Sequence, residues 1–323
     1  VEQCTGFLQG DLEVKEPVLN APRVRNLINF TPLRYPGGKG KLAAYVKRLL
    51  KDNNLLDGQY AEPYAGGAAI ALELLFHEYV SEVFINDISQ HIHAFWDSVL
   101  NHPENFCKTI AETPINVSVW DKQKAIFARP NEHSKFDLGF ATFFLNRTNR
   151  SGILNAGIIG GRAQAGSWGI DARLNKDELI FRIMSIAKIR HRINLFNLDA
   201  IDFMTEINPS LSDKSLIYLD PPYYKKGRDL YYDFYKHESH SVVAKFVDEH
   251  LKKRNWIVSY DNVPEIKNLY RNHRFGIYAI GYSARSHGAG SEIMFFSEDM
   301  NISPLVGAVK AIEGFGIQEI LTA

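Results

Sequence analysis

Tyr60-Ala61-Glu62-Pro63-Tyr64-Ala65-Gly66-Gly67-Ala68-Ala69 is the stretch on which the fold turns. Tyr60 to Glu62 reads as a short strand, the proline and paired glycines as a tight turn, and Ala69 to Glu78 as a helix. The pattern repeats at once, with a strand-like run at Val83 to Asn86 and helical spacing from Gln90 to Leu100. Such βαβα alternation predicts a parallel sheet. Upstream, Leu42, Ala43, Val46, Leu49 and Leu50 repeat at helical spacing across Lys39 to Leu50, behind the breaker Pro36-Gly37-Gly38.

Past Leu100 the alternation stops for roughly ninety residues, around Asn146-Arg147-Thr148-Asn149-Arg150-Ser151-Gly152. A helix from Lys176 to Arg192 leads back to strand-like runs at Ile193 to Leu198, Leu216 to Leu219 and Trp256 to Tyr260, and a helix at Ser239 to Lys253 bridges the last two. The runs Phe275 to Tyr282 and Glu292 to Phe296 are joined by a link too short for a parallel crossover, so they must pair antiparallel. The expected architecture is α/β, a seven-stranded Rossmann-like sheet whose last two strands are antiparallel, with an inserted and mainly helical domain. The boundaries read as an extension over residues 1–31, a catalytic domain over 32–105 and 193–299, an insertion over 106–192 and a tail over 300–323.

The 323 residues are 45% hydrophobic, enough to bury a sizeable core. Basic and acidic residues balance at 37 each, which gives no chain-wide support for a polyanion partner. Between residues 141 and 195, however, nine Lys or Arg face three Asp or Glu, a local net of +6. Arg147, Arg150, Arg162 and Arg173 are candidates for phosphates or guanine edges there, and Asn146 and Asn149 for adenine edges. Arg182, Lys188, Arg190 and Arg192 read instead as a solvated helix face. No apolar run is long enough to span a bilayer and the first thirty residues hold no signal-peptide core, so a soluble, cytoplasmic protein is expected. Cys4 and Cys107 lie far apart without His or Cys at ligand spacing, which argues against disulfides and structural zinc.

Ligands of open α/β sheets bind beyond the carboxyl ends of the strands. Glu62, Pro63, Tyr64, Ala65 and Gly66 stand at the first such end, where small residues permit close approach to the backbone. Asp87 closes the second strand, where a carboxylate can accept from two ribose hydroxyls, and it reads equally as the N-cap of the next helix. Asp199 closes the third run, with the same two readings, the ligand there being an adenine amino group. Leu216-Ile217-Tyr218-Leu219 delivers Asp220-Pro221-Pro222-Tyr223 at its end. The two prolines fix φ and remove two donors, leaving the Asp220 carboxylate and a rigid carbonyl as acceptors for the two protons of an exocyclic amine. Accepting both localises the nitrogen lone pair for in-line attack on a sulfonium methyl, with no need of a metal, and Tyr223 is expected to offer a ring face for base stacking. Lys225, Lys226 and Arg228, followed by Tyr231, Tyr232 and Tyr235, form a basic and aromatic run expected to close over the base.

In the order Leu33-Arg34-Tyr35-Pro36-Gly37-Gly38-Lys39, Glu62-Pro63-Tyr64, Asn86-Asp87, insertion, Asp220-Pro221-Pro222-Tyr223, the chain resembles the D12 class, or Dam-like α group, of DNA N6-adenine methyltransferases over roughly residues 32–297. The resemblance implies S-adenosylmethionine as methyl donor, contacted by Tyr35 and Lys39, with Asp87 on the ribose and Asp220 between donor and target amine. It implies methylation of a flipped-out adenine in double-stranded DNA, a cognate restriction enzyme as a candidate partner, and a monomer or weak dimer. The same acceptor geometry suits cytosine N4 or RNA, and a catalytically silent DNA-binding relative is the alternative of another class. Two motifs depart from the strict Dam pattern: Tyr35-Pro36 stands in place of Trp-Ala, and the loop from Asn146 to Ile153 lacks the Asn-Arg-His-Gly-Tyr-Asn-Gly sequence.

Overall fold

The computed structural model describes residues 30–34, 39–224, 236–280 and 290–315. Eight strands form one sheet: β1 Gly58–Glu62, β2 Val80–Asn86, β3 Ile193–Phe196, β4 Ser215–Leu219, β5 Asn255–Asp261, β6 Arg274–Ile280, β7 Gly290–Phe296 and β8 Val309–Glu313. Their spatial order is β3-β2-β1-β4-β5-β7-β6-β8. The pairs among β1 to β5 are parallel, while β7 pairs antiparallel with both β5 and β6, and β8 with β6. The expectation of seven strands is therefore corrected to eight. β8 lies in the segment read as an uninformative tail, and its burial pattern shows why: only Val309 is buried and the next four residues are exposed, as on a sheet edge.

Strand alternation sorts side chains to the two faces. Leu216 and Tyr218 join one apolar cluster with Tyr60, Val83 and Ile85, whereas Ile217 and Leu219 join the other with Ala61, Phe84 and Val258. Both faces are thus buried, which is what continuous apolar runs such as Leu216-Ile217-Tyr218-Leu219 require. The first face is covered by α1 Ala43–Asp52, α2 Ala69–Phe76 and α3 Gln90–Asn101, the second by α8 Ala200–Ile207, α9 His237–His250 and α10 Pro264–Leu269. The sequence order reverses between β1 and β4, which are hydrogen-bonded neighbours. Their carboxyl ends flank the switch point where α/β sheets place ligands.

Between α3 and β3 lie α4 Pro103–Glu112, α5 Val117–Ala128, α6 Lys135–Thr148 and α7 Lys176–Lys188. Asn116, Ser134 and Asn175 cap the last three by accepting backbone N–H bonds, which sets their starts. These helices share the core of the first sheet face: Phe143 of α6 stacks on Phe95 of α3 with ring centroids 6.1 Å apart. Gly139 lets the two backbones meet, since a Cβ there would stand 2.3 Å from the Ala94 carbonyl oxygen. Among the described residues no helix is long and apolar enough to cross a membrane.

Candidate active site

The glycine turn after β1 is held by the end of β2. Ala65 N–H donates to the Asn86 carbonyl at 2.8 Å, and Gly66 N–H to Asp87 Oδ2 at 2.9 Å. The turn needs left-handed backbone at Gly66 (φ +48) and at Ala68 (φ +46). Asn86 ties three strand ends together: its Nδ2 donates to the carbonyls of Pro63 and Leu198, and its Oδ1 accepts from Leu198 N–H. Asp87 Oδ1 also accepts from Ser89 N–H at 2.9 Å, so the carboxylate is oriented by two backbone amides. Asp199 realises the capping alternative, its Oδ1 accepting from Ile201 N–H at 2.8 Å at the start of α8, and its side chain is exposed.

Glu62 is buried at 6% exposure, its Oε1 accepting from Tyr60 OH at 2.9 Å and Ala71 N–H at 3.3 Å. Burial pushes its carboxyl up to about 8, so it is largely protonated at neutral pH. Pro63, Ala65 and Gly66 are buried and Tyr64 is half-buried in the same turn.

Across the switch point, Asp220 leaves β4 with its side chain 23% exposed. Its Oδ1 accepts from Ser259 Oγ at 2.7 Å and faces Lys39 Nζ at 3.2 Å, while its Oδ2 has no hydrogen-bond partner among the described residues. Tyr218 OH lies 2.8 Å behind Ser259 Oγ. Burial raises the Asp220 pKa above the ordinary carboxylate range, with Lys39 opposing it. Lys39 is spent on three acceptors: Asp220, Glu292 Oε2 at 2.9 Å and Tyr223 OH at 3.2 Å. Burial works to lower its pKa, but the two carboxylates outweigh this and hold the ammonium well above its usual value. Glu292 is 1% exposed and accepts from Tyr223 OH and Tyr278 OH, each at 2.6 Å.

Tyr223 therefore differs from expectation. It is 4% exposed, its hydroxyl belongs to the Lys39 and Glu292 network, and Lys39 Nζ sits 4.8 Å from its ring centroid. The phenol is buried because its OH has partners there, so the expected open stacking face is not presented. Pro221 is buried and Pro222 half-buried beside it, and Asp261 Oδ1 accepts from Tyr224 N–H at 2.8 Å, anchoring the chain past the motif. Glu292, Ser259, Tyr218 and Tyr278 were missed by sequence reasoning. The one available signal was a carboxylate opening the apolar run Ile293-Met294-Phe295-Phe296.

Of the residues expected on DNA, three face inward. Asn146 (1% exposed), Arg147 (9%) and Asn149 (1%) are buried and bonded internally. Asn146 pairs with the Arg34 backbone, Arg147 donates to the Pro32 carbonyl, and Asn149 accepts from Trp120 Nε1 at 2.7 Å while donating to the carbonyls of Ile153 and Leu154. Burial lowers the Arg147 guanidinium to about 9. Arg150 and Arg162 are exposed and line a cleft of about 570 Å³ with Trp120, Asp121 and Lys124. Arg162 makes a two-point pair with Asp121, at 2.7 and 2.8 Å. Arg182 and Arg192 are structural, donating to the carbonyls of Thr31 and of Ser81 and Val80. Tyr35 and the basic and aromatic run after Tyr224 lie outside the described residues.

The model of the D12 class N6 adenine-specific DNA methyltransferases matches residues 35–283. The chain belongs to that family. The methyltransferase family implies S-adenosylmethionine as donor and DNA as substrate. No curated protein matches the chain. A crystal structure of protein LPL1258 from Legionella pneumophila str. Philadelphia 1 is 12% identical, covers 81% of this chain and 85% of that one, and superposes with a TM-score of 0.32, at which the likeness carries no argument. In the D12 chain the match runs from the residue after Arg34, through the switch point, to the segment before β7.

Proposed function

We propose that this D12 methyltransferase transfers the methyl group of S-adenosylmethionine to N6 of an adenine swung out of double-stranded DNA, and that it is of the α group by its motif order. The observation that carries the reading is the division of labour on Asp220: Oδ1 is engaged by Lys39 and Ser259, and among the described residues Oδ2 is left as an acceptor at a partly exposed strand end. Fixing one oxygen orients the other. Oδ2 then accepts one amine proton, and a carbonyl of the rigid Asp220-Pro221-Pro222 backbone accepts the second, which turns the nitrogen lone pair toward the donor.

When bound, S-adenosylmethionine supplies an electrophilic methyl on a positively charged sulfur. Asp220, Glu292 and Lys39 together carry a net charge of −1 when all are ionised, which complements that cation and the positive charge that moves to the amine nitrogen. By motif position Asp87 is assigned to the ribose hydroxyls, Asp199 to the adenine amino group, the Glu62 to Gly66 turn to close approach of the donor's remainder, and Tyr35 to the donor by family pattern. Tyr223 acts by holding Lys39. Arg150 and Arg162 are the retained DNA contacts.

The test is transfer of labelled methyl from S-adenosylmethionine to duplex DNA, with nucleoside analysis of the product. Wild type is expected to yield N6-methyladenine, and Asp220→Ala to lose at least about a thousandfold in kcat. Label on cytosine, or Asp220→Ala activity near wild type, would overturn the proposal.

A further inference from the structure

Residues 31–34 stand a few positions before Lys39 in sequence, and side chains of the insertion grip their backbone at successive points. Arg182 donates to the Thr31 carbonyl at 2.8 Å and Arg147 Nε to the Pro32 carbonyl at 2.7 Å. Asn146 engages Arg34 as a neighbouring strand would: its Oδ1 accepts from Arg34 N–H at 2.7 Å and its Nδ2 donates to the Arg34 carbonyl at 2.7 Å. The second Nδ2 proton goes to the Gly152 carbonyl at 2.9 Å, so both amide donors are spent. From the other side Gly152, at φ +76, lies so close that a Cβ would stand 2.5 Å from the Arg34 carbonyl oxygen. An asparagine in a basic insertion, placed by sequence to read adenine, is instead clamped on the backbone of Arg34, a few positions before Lys39.

We propose that Asn146, with Gly152 packed beside it, is a positioning residue of the donor site: it sets the course of the backbone at Arg34, and through it the seating of Lys39 between Asp220 and Glu292. The insertion would then serve two ends of the reaction, the exposed Arg150 and Arg162 facing DNA and the buried Asn146 holding the donor side. This inference rests on the proposed use of S-adenosylmethionine.

Equilibrium binding of S-adenosylmethionine to the full chain, with KM for donor and for duplex DNA measured separately, tests it on wild type, Asn146→Ala, Gly152→Ala and Arg150→Ala. Losing a buried two-point hydrogen bond leaves the Arg34 amide unpaired, and the expected effect on Asn146→Ala is a rise of about tenfold or more in donor Kd and KM with DNA KM within about twofold. Gly152→Ala, which leaves the Asn146 side chain intact but crowds the same carbonyl, should show the same split, and Arg150→Ala the reverse one. A purely structural role predicts instead parallel loss of both substrates. Thermal melting identifies a variant unfolded at the assay temperature, and if Asn146→Ala is, Gly152→Ala carries the test. Unchanged donor binding in the folded variants, or weakened DNA recognition with normal donor binding in Asn146→Ala, overturns the inference. Wild type that binds no S-adenosylmethionine would instead reject the functional proposal itself.

Discussion

In the proposed mechanism Asp220 accepts as an anion, and its surroundings pull its pKa in opposite directions: burial raises it, and Lys39 at 3.2 Å lowers it. Activity should fail as pH drops through that pKa, so the acid limb of kcat/KM is expected above the ordinary aspartate value. Lys39→Met removes the cation that favours ionisation, so the Asp220 pKa rises further and the acid limb moves to higher pH. A pH-rate profile checks this, and an acid limb that stays in place or moves down contradicts the assigned role. Asp220 and its prolines were legible because the motif is contiguous. Glu292 was not, because its meeting with Tyr278 depends on the β6–β7 register, in which those two residues are opposite partners.

At the scale of elements, α3 and α6 pack against each other in the core of the first sheet face. Two opposing effects meet at Gly139. Alanine gains about 1 kcal/mol over glycine in a helix interior, but here its Cβ would stand 2.3 Å from the Ala94 carbonyl oxygen and 2.5 Å from Ser98 Oγ, inside any tolerable contact. Overpacking of this kind costs typically about 1–3 kcal/mol, and backbone on the opposing helix yields poorly, so Gly139→Ala is expected to destabilise by a net of about 1–2 kcal/mol. Denaturant unfolding measures it. A stabilised variant would mean that the two helices can separate without cost. Helix and strand spacing predicted most element positions to within a few residues, but the closeness of α3 and α6 was hidden in a single glycine inside a helical pattern.

For the molecule as a whole, neutral net charge conceals the basic stretch of residues 141–195, and within it the distribution matters more than the count. Asp121 occupies Arg162 with the two-point geometry that a phosphate would use. Asp121→Asn should therefore free a cation for the DNA backbone, tightening binding at low salt and steepening the log K against log salt slope by about 0.9, one phosphate contact. Anisotropy titrations over a salt series read both, and an unaltered slope would remove Arg162 from the DNA surface. The alternation of strands and helices, the order of the motifs and the strand end that carries Asp220 were determined by the sequence alone, because periodicity and motif spacing are properties of consecutive residues. Only the tertiary structure decided that Asn146, Arg147 and Asn149 face inward, that Tyr223 holds a lysine, and that Glu292 completes the charge network. Those outcomes depend on pairings such as Asn146 with Arg34, 112 positions apart, where burial commits polar groups to whatever partner the fold brings against them.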